Sequence, residues 1–558
     1  MKKNNRTKKS LLALMMALIL IFTACSSGET APAGGTTANT PAASETSGSQ
    51  SNASSDILYI GMTNAPASFN IINTSDIAGR WVQRFMYDSL LLMPTTTTFE
   101  PGLADSFETE DDQNFTIKIN EKAVWSDGTP VTADDVVFTL NYIANPEVET
   151  ARGSNIAMLE GTTAAGKLEE GLTEIPNLVA VDAKTVTLKT KKPVDPAYIK
   201  EFLGFEIMIL PKHIVEPIPV KDYGNSNAVN NPTVTSGPFK FVQYQNGSYV
   251  ELASNPDYYK GEPEFKKVFI KIMNGTNLVT EFQSGGIHMA AGGGIGVVPV
   301  QDLGILRDDP NMQIDANPGF NSQFMMINNT KYTNQKFRQA LAYAINRDLI
   351  VQNLLKGEGE VMSSVYPIAS PYMNEDLKPI EYDPEKAKAL LAESGFDTSQ
   401  EINLIVPIGN KVREQSANLI EQDLEAIGLK VTQTTYDFPT VMATIKTNEF
   451  DMCLIGFGYT VEPDVATYYS SSGSMNFGKI SDAHLDELLE KGTSLTNFDE
   501  RKAVYDEIQQ YMQDNTFILG LYSDYQIASR VKALNGGITS YWAGSLAGIE
   551  KWNINGLQ

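Results

Sequence analysis

Residue types that support catalysis are few in this chain and widely spaced. The histidines are His213, His288 and His484, and their separation fits no local metal-binding motif. The sequence contains no Gly-x-Ser-x-Gly nucleophile motif and no Gly-x4-Gly-Lys-Ser/Thr phosphate-binding loop. The glycines within residues 292–296 lack a following lysine, so they indicate a loop. The sequence therefore predicts a protein that is not an enzyme and has no metal and no cofactor, although a site assembled from distant segments stays an open alternative.

The residue with the clearest predicted chemistry is Cys25. It follows five basic residues within the first nine positions and an apolar run over residues 11–22. This order is typical of a secretory signal peptide. The sequence Phe-Thr-Ala-Cys at 22–25 resembles a bacterial lipobox, in which the cysteine thiol receives a diacylglycerol. We expect residues 1–24 to be removed and Cys25 to be lipidated; an ordinary cleaved signal with a chance cysteine is the alternative.

The segment after Cys25 has the composition of a flexible tether. Residues 26–55 consist almost entirely of Ser, Thr, Ala, Gly and Pro, with no aromatic residue and no Val, Ile, Leu or Met. Such a segment cannot bury enough apolar surface to offset its chain entropy. We therefore predict that residues 25–55 link a lipid anchor in the bacterial cell membrane to a folded, extracytoplasmic body.

The charge of the chain excludes several classes of partner. The formal net charge is −24 at pH 7, whereas nucleic-acid binding requires a basic surface. The same acidity opposes flat adsorption on anionic lipid. The second cysteine, Cys453, lies in an apolar run typical of a buried strand, so we predict a core residue rather than a nucleophile. We expect a monomer with no nucleic-acid partner.

Hydrophobic periodicity predicts a mixture of helices and strands that would position any site. In the first half of the chain we predict strands near residues 56–62, 115–119, 186–188 and 250–253, and a helix over 77–92. Thr132 is expected to begin another helix, with Asp134 and Asp135 on its solvated first turn. After residue 320 longer helices alternate with strands. We predict helices from Asn334 through Leu349 and over 412–427, 481–489 and 500–512, with a strand from residue 429.

Several stretches resemble the large solute-binding proteins of peptide-type and nickel-type ABC importers. Residues 124–138 (VWSDGTPVTADDVVF) are close to the signature of that family. The other matching stretches are YDSLL at 87–91, PGLADSFE at 101–108, FTIKI at 115–119, SGPFK at 236–240, NPDYY at 255–259, FRQALAYAINR at 337–347, DPEKA at 383–387 and EFD at 449–451. Their order and spacing match the family over nearly the whole body.

The resemblance implies an α/β, two-lobed periplasmic-binding-protein-like fold with an extra subdomain in the first lobe. We place lobe 1 at residues 56–318, with the inserted subdomain at about 89–229. Lobe 2 is placed at 319–515, and residues 516–558 return to lobe 1. A peptide would bind in the crevice between the lobes, which would close about a hinge. The closed protein would then deliver the peptide to a membrane permease driven by an ATPase.

The resemblance also indicates where a ligand would bind. In peptide-binding relatives an aspartate a few residues ahead of an acid-proline pair binds the peptide ammonium. Here the pair is Glu462-Pro463, but Tyr459 or Thr460 stands at the position of the aspartate. Three explanations stay open. Glu462 or Asp464 binds the ammonium, a long peptide leaves its ends unfixed, or the ligand is not a peptide.

The other candidate ligand contacts are predicted from aromatic character and position. Phe457, Tyr459 and Trp542 are each expected either in the crevice or in a lobe core. Topology alone adds two further pairs. One is Asn64 and Ser68 after the first strand, and the other is Phe320 and Asn321 near the first crossing between lobes.

Three alternative functions follow from the same sequence. The protein could serve an importer of oligosaccharides or other small solutes, and aromatic side chains in the crevice would favour that alternative. It could be a surface sensor of peptides that takes no part in import. An enzyme is the weakest alternative because the sequence supplies no recognisable nucleophile or metal site.

Overall fold

One long strand pairs with strands from both halves of the molecule in the computed structural model, which describes residues 56–537, 539 and 541–555. The predicted signal peptide, Cys25 and the predicted tether lie outside the described residues. The strands are β1 Ile57–Met62, β2 Leu91–Thr95, β3 Thr98–Pro101, β4 Ala104–Thr109, β5 Asn114–Ile119, β6 Val179–Asp182, β7 Thr185–Lys189, β8 Phe239–Gln245, β9 Tyr249–Ser254, β10 Lys267–Ile272, β11 Met289–Ala290, β12 Met312–Pro318, β13 Asn321–Ile327, β14 Gly359–Val361, β15 Glu401–Pro407, β16 Lys430–Tyr436, β17 Met452–Gly458, β18 Ile518–Val531, β19 Leu534–Asn535 and β20 Asn553–Ile554.

The longer helices lie mainly in the second half of the chain, as predicted. The α-helices are α1 Ile77–Met86, α2 Ala133–Ala144, α3 Pro196–Ile199, α4 Lys212–Val215, α5 Val220–Tyr223, α6 Asn227–Asn230, α7 Gly275–Gln283, α8 Leu303–Arg307, α9 Gln335–Ala344, α10 Arg347–Leu354, α11 Pro384–Ser394, α12 Lys411–Ala426, α13 Phe438–Lys446, α14 Ala466–Tyr469, α15 Ala483–Ser494 and α16 Phe498–Asn515. Gly153–Ile156, Trp542–Gly544 and Ile549–Lys551 are 3₁₀ turns, and Lys200–Phe205 is a π-helical turn. Within the described residues, no helix combines the length and the apolar character needed to cross a membrane.

The main sheet is mixed and has twelve strands, in the order β16-β15-β17-β13-β18-β11-β1-β10-β9-β8, with β12 and β14 also paired to β18. β18 pairs with β13 and β14 as far as Asp524, and with β12 from Tyr525 onward. We call the part built on β1 and β8–β12 lobe 1, and the part built on β13–β17 lobe 2. The chain passes between them at residues 319–320 and again within β18. The lobe limits given above stay a prediction.

Each lobe has its own hydrophobic core. In lobe 1 the core includes Trp81, Phe85 and Trp125, and the segment after β18 returns to it through Trp552. A smaller cluster under α7 and α8 completes this lobe. The helices of lobe 2 cover both faces of its sheet, with separate clusters on the two faces. Buried strands of this kind are nearly continuous apolar runs, as in β17.

A separate antiparallel sheet, in the order β4-β5-β7-β6, lies within lobe 1. Phe107 and Phe115 pack edge to face on it, with ring centroids 5.8 Å apart. α2 packs on β6 and β7. The chain that leads into this sheet is held to lobe 1, because Asp88 accepts hydrogen bonds from Tyr258 (2.9 Å) and Tyr259 (2.8 Å).

Most predicted elements are confirmed, but two helices are shorter than predicted. The helix over 77–92 ends at Met86 because Tyr87 is extended, and the N–H of Asp88 donates to Ser236 Oγ at 3.0 Å. The helix from Asn334 through Leu349 is broken into α9 and α10. Asn346 caps α10 by accepting from the Leu349 N–H at 3.0 Å, so the register of the apolar face is interrupted there.

The prediction that Asp134 and Asp135 both lie on a solvated face is wrong for Asp135. Its side chain is buried and accepts hydrogen bonds from the N–H of Thr132 at 2.8 Å and the N–H of Lys212 at 3.0 Å. It thereby caps the start of α2 and fixes the adjacent loop. Asp134 is exposed, as predicted. Cys453 is fully buried in β17, which confirms the predicted core position.

Candidate functional site

The candidate site is a cavity of about 450 Å³ between the lobes, which we call the interlobe cavity. This volume lies within the usual range of small-molecule sites, about 300–1,000 Å³. A hollow of about 540 Å³ beside Tyr249 and Phe269 is lined by lobe 1 alone. The interlobe cavity is lined by Ile77, Arg80, Ala151, Arg152, Ser154, Asn155, Glu201, Phe202, Phe205, Glu206, Gly293, Phe320, Asn321, Gly458, Tyr459, Thr460, Val461, Gln526, Tyr541 and Trp542.

Lobe 2 contributes the end of β17 and the residues that follow it. β17 pairs with β13, so Gly458 lies opposite Asn321. The N–H of Tyr459 donates to the Phe320 carbonyl at 2.9 Å, which holds the next residues against the first crossing segment. The Tyr459 hydroxyl is 2.7 Å from the Tyr469 hydroxyl, and Thr460 is exposed to the cavity.

Lobe 1 contributes aromatic side chains from two distant segments. The π-helical turn at Lys200–Phe205 places Phe205 beside Trp542, with ring centroids 6.1 Å apart. Phe320 contacts Tyr541 at a centroid distance of 6.0 Å. Gly293 lies under Trp542 in the left-handed region (φ 69°), and a Cβ there would approach the Trp542 Cβ to 3.1 Å. The glycine loop predicted at 292–296 is therefore part of the cavity wall.

A group of arginines lies on the lobe 1 side. Arg80 and Arg84, one turn apart on α1, both pair with Glu206, and the Arg84–Glu206 separation is 3.8 Å. The Arg84 guanidinium also stacks on Phe205 (3.9 Å to the ring centroid) and on Trp542 (4.6 Å). Arg152 is buried, and its Nη2 donates to the carbonyl of Thr74 at 2.6 Å. α1 therefore presents Arg80 to a cavity whose lining includes six aromatic side chains.

Glu201 joins the two lobes across the edge of the cavity. Its carboxylate oxygens accept the N–H groups of Val461 and Glu462, each at 3.2 Å. Burial raises the pKa of Glu201 to about 7, and the two backbone donors only partly oppose that rise. The charge of this side chain therefore changes near neutral pH.

A second interlobe contact lies beside a neighbouring cavity of about 340 Å³. Arg501 Nη1 on α16 is 2.6 Å from Asp195 Oδ2, which belongs to lobe 1. The same guanidinium pairs with Glu462 in lobe 2. All three side chains are at most 10% exposed. Burial alone lowers the pKa of Arg501, but the ion pair with Glu462 raises it above its ordinary value, so the guanidinium stays protonated.

The structure brings half of the predicted site residues to the interlobe cavity: Phe320, Asn321, Tyr459, Thr460 and Trp542. Glu462 and Asp464 line the neighbouring cavity instead. The Glu462 carboxylate is already bound by Arg501, and Asp464 is exposed and accepts the N–H of Ala466 at 2.8 Å.

The remaining predicted site residues do not line the interlobe cavity. Phe457 is 8% exposed and packs in the lobe 2 core, with ring centroids 5.6 Å from Phe324 and 5.0 Å from Tyr468. Asn64 is exposed and accepts from the Thr63 hydroxyl. Ser68 Oγ accepts the Asn70 N–H at 3.0 Å, within its own loop. Which of the ten residues contact a ligand stays a prediction.

Three charged residues of the cavity lining were not predicted from the sequence: Arg80, Arg152 and Glu201. Arg80 belongs to a helix that was predicted. Its orientation toward the cavity depends on the packing of α1 against the distant segment around Trp542, over whose ring the Arg80 guanidinium lies. No local motif marks Arg152 or Glu201, because both lie in irregular or π-helical segments. Among the described residues, no group of three or more His, Cys, Asp or Glu side chains is arranged to hold a metal ion.

The chain matches one protein family and is similar to several known bacterial proteins. The family profile described as "Bacterial extracellular solute-binding proteins, family 5 Middle" matches residues 98–479. The oligopeptide-binding protein AppA of Bacillus subtilis strain 168 is 26% identical over 99% of both chains. The heme-binding protein A of Haemophilus influenzae is 27% identical over 74% of this chain and 77% of its own.

Solved structures show the same architecture. The ABC transporter substrate-binding protein CtaP from Listeria monocytogenes has a TM-score of 0.78 at 26% identity, covering 90% of this chain and 100% of its own. AppA from B. subtilis in complex with a nonapeptide has a TM-score of 0.70 at 25% identity, covering 90% and 99%. These neighbours confirm the two-lobed periplasmic-binding-protein-like fold predicted from the sequence. The protein is therefore a solute-binding protein and not an enzyme, and the chain belongs to the bacterial extracellular solute-binding proteins of family 5.

Proposed function

We propose that the protein captures peptides in the interlobe cavity and delivers them to the permease of an ABC importer. One observation carries the proposal: both lobes, both crossing segments and the C-terminal segment line the same cavity. A solute held there contacts every part that must move when the lobes separate. AppA, which is similar over 99% of this chain, is named as an oligopeptide-binding protein and has been solved with a nonapeptide.

Hinge closure is part of the proposal. The lobes are connected at residues 319–320 and within β18. They also touch through the contacts of Asp195 and Glu201 described above, and through an ion pair between Arg307 in lobe 1 and Glu358 in lobe 2. Opening would break the Arg501–Asp195 ion pair and the bonds from Val461 and Glu462 to Glu201. A solute that contacts both walls would favour the closed state, because it gains contacts there that the open state lacks.

A membrane anchor is also part of the proposed function. We propose that Cys25 carries the lipid and that residues 26–55 tether a monomeric body to the outer face of the cell membrane. The basic and apolar residues ahead of Cys25 support this. Metabolic labelling with a palmitate analogue should label the protein in cells, and Cys25→Ala should abolish the label. Equal labelling of the two forms would contradict lipidation at Cys25.

Binding to synthetic peptides tests the capture proposal. Peptides from a library of tetra- to nonapeptides should raise the melting temperature by mass action. A peptide at one hundred times its Kd should raise the free energy of unfolding by about 2.7 kcal/mol. Thr460→Trp places a bulky ring in the cavity and should abolish the shift. Thr435→Trp is the matched control, because Thr435 is exposed on β16, outside the residues that line the cavity. An equal shift in the Thr460→Trp variant would refute binding in this cavity.

A second candidate is a non-peptide solute such as an oligosaccharide. The observation that favours it is the aromatic lining formed by Phe205, Phe320, Tyr459, Tyr541 and Trp542, because aromatic faces also bind flat or apolar ligands. The same melting assay with an oligosaccharide panel separates the candidates. A shift with oligosaccharides and none with peptides would establish the second candidate and refute the first.

A further inference from the structure

Glu201 is a buried carboxylate that joins the two lobes without a cation beside it. It belongs to the π-helical turn of lobe 1, and it lines both the interlobe cavity and a smaller cavity of about 100 Å³. Glu201 is only 7% exposed. Its two carboxylate oxygens accept the N–H groups of Val461 and Glu462 from lobe 2. Among the described residues, no Arg, Lys or His side chain forms an ion pair with it.

The arginines around these cavities are held by other groups. Arg80 pairs with Glu206, and Arg501 pairs with Glu462. The guanidinium of Arg152 donates to a backbone carbonyl. A carboxylate that is buried without an opposite charge is costly, and binding a proton removes that cost. The closed arrangement of the lobes therefore favours the neutral form of this side chain.

The open arrangement favours the charged form of the same side chain. Separation of the lobes would remove the backbone donors of Val461 and Glu462 and admit water to the Glu201 carboxylate from both cavities. A solvated glutamate is ionised at neutral pH. Burial raises the pKa of Glu201 from 4.5 to about 7, which agrees with this geometry. Closure of the lobes and binding of a proton are therefore linked.

The arginines and tyrosines that line the same cavities keep their charge between pH 5 and pH 7. Burial lowers the pKa of Arg80 to about 9 and that of Arg152 to about 10, so both stay protonated in this range. The tyrosines have pKa values that burial raises above the ordinary value, so they stay neutral: Tyr198, Tyr372, Tyr459 and Tyr541.

Glu462 is the other acid able to take up a proton at this contact. Burial raises the pKa of Glu462, and its ion pair with Arg501 opposes that rise. Two further acids lie beside this pair: Asp195 binds the same guanidinium, and Asp464 is exposed. A proton on Glu462 would remove one charge of an ion pair, whereas a proton on Glu201 breaks no ion pair. Glu201 is therefore the favoured site.

We propose that Glu201 binds one proton when the lobes close on a solute, so that capture is tighter in an acidic medium than in a neutral one. The solvent supplies the proton, which binds one carboxylate oxygen, and no other covalent bond forms or breaks. The proton returns to the solvent when the lobes open. This inference rests on the proposed function and deepens it, because it names external pH as a condition that controls the same site.

The pH dependence of solute binding tests the proposal. The purified full chain is titrated by isothermal calorimetry at pH 5 and pH 7 with tetra- to nonapeptides that contain no His, Asp or Glu. The charge of such peptides stays nearly constant in this range. For a free protein that is open, with a Glu201 pKa of 4.5 that rises to about 7 on closure, the affinity should be about 40-fold higher at pH 5.

The number of protons taken up is measured at pH 6. The same titration is repeated in MES and in bis-Tris, two buffers with different heats of ionisation, and the difference in heat gives the proton uptake. The same two pKa values predict uptake of about 0.9 proton for each peptide bound.

Two variants assign the proton to a residue. Glu201→Gln should abolish the uptake and reduce the change in affinity between pH 5 and pH 7 to less than about twofold, because an amide does not titrate. Glu251→Gln is the matched control. Glu251 is also buried, at 8% exposed, but it pairs with Lys267 within lobe 1, so the variant should keep both the uptake and the pH dependence. The melting temperature without peptide shows that each variant is folded.

Each outcome decides between the proton site and the peptide function. Uptake that is present in the wild type and lost in Glu201→Gln supports the proposal. Uptake that persists in Glu201→Gln overturns the assignment to Glu201. Peptide binding with equal affinity at pH 5 and pH 7, and without uptake, overturns the proposal and leaves peptide capture standing. No peptide binding at either pH overturns both.

Discussion

The ion pair between Arg501 and Asp195 should favour the closed state, and Asp195→Asn tests this. The distance is 2.6 Å, and the two side chains are 3% and 10% exposed, so salt screens the pair only weakly. Asparagine has nearly the same shape. It also keeps an acceptor for the Ala197 N–H, which Asp195 Oδ1 accepts at 2.8 Å. The substitution therefore removes the charge and leaves the start of α3 intact.

The loss of closed-state stability in Asp195→Asn depends on the contacts that Arg501 keeps. A hydrogen bond to a charged group contributes about 1.5–3 kcal/mol. Arg501 keeps Glu462 as its counter-ion, and the asparagine still offers a neutral acceptor, so the lower end applies. A loss of about 1.5 kcal/mol changes the closed-to-open ratio by about tenfold. The apparent affinity for solute should fall by up to the same factor, because fewer molecules are ready to bind.

Single-molecule energy transfer measures this ratio. Dyes are attached to Lys122→Cys in lobe 1 and Lys388→Cys in lobe 2, both exposed positions, in a protein that begins at residue 56 and therefore lacks Cys25. Burial raises the pKa of the Cys453 thiol to about 12, so that cysteine does not compete for the dyes.

The control for the ion pair is Glu393→Gln. It removes one charge from a pair with Lys336 that lies wholly within lobe 2. The closed fraction should fall in Asp195→Asn and stay constant in Glu393→Gln. A closed-to-open ratio in Asp195→Asn within twofold of the wild-type ratio would show that the ion pair with Arg501 does not favour the closed state.

Two further predictions concern pH and stability. Because the folded-state pKa of Glu201 is raised from 4.5 to about 7, the unfolded state binds fewer protons between those values, and stability falls as pH rises through that window. Glu201→Gln should remove this component. The difference in melting temperature between pH 5 and pH 8 should therefore be smaller in the variant than in the wild type. An unchanged difference would contradict the prediction. Asp135→Ala leaves the N–H groups of Thr132 and Lys212 without their acceptor and should lower the free energy of unfolding by about 2–3 kcal/mol in urea. Asp134→Ala, on the exposed side of the same turn, should change it by less than about 0.5 kcal/mol.

The sequence predicts elements well where local signals set them. The Thr132 start of α2, the Gly428 end of α12 and the apolar β17 were all located from residue type and spacing. The prediction of one helix through Leu349 was wrong, because Asn346 breaks it by capping α10 and is itself held by a tertiary contact. The N–H of Asn346 donates to Asp423 on α12 at 2.8 Å, and no local pattern contains that partner.

The candidate site was harder to predict for the same reason. Phe320, Thr460 and Trp542 reach one cavity from segments more than 80 residues apart, and only the resemblance placed them near a crevice. The partners of the charged side chains could not be predicted from the sequence. Glu462 was a candidate to bind a ligand ammonium, but it pairs with Arg501, which lies 39 positions away. Arg152 faces the cavity through a turn whose neighbours are Thr74 and Thr150.

Peptide capture in the interlobe cavity is tested most directly by native mass spectrometry of the protein as purified from its own cells. We expect added masses that resolve into peptide sequences, and that are absent from Thr460→Trp prepared in the same way. A single added mass that fragments as a non-peptide solute would contradict peptide capture. Peptide masses retained in full by Thr460→Trp would contradict the interlobe cavity as their site.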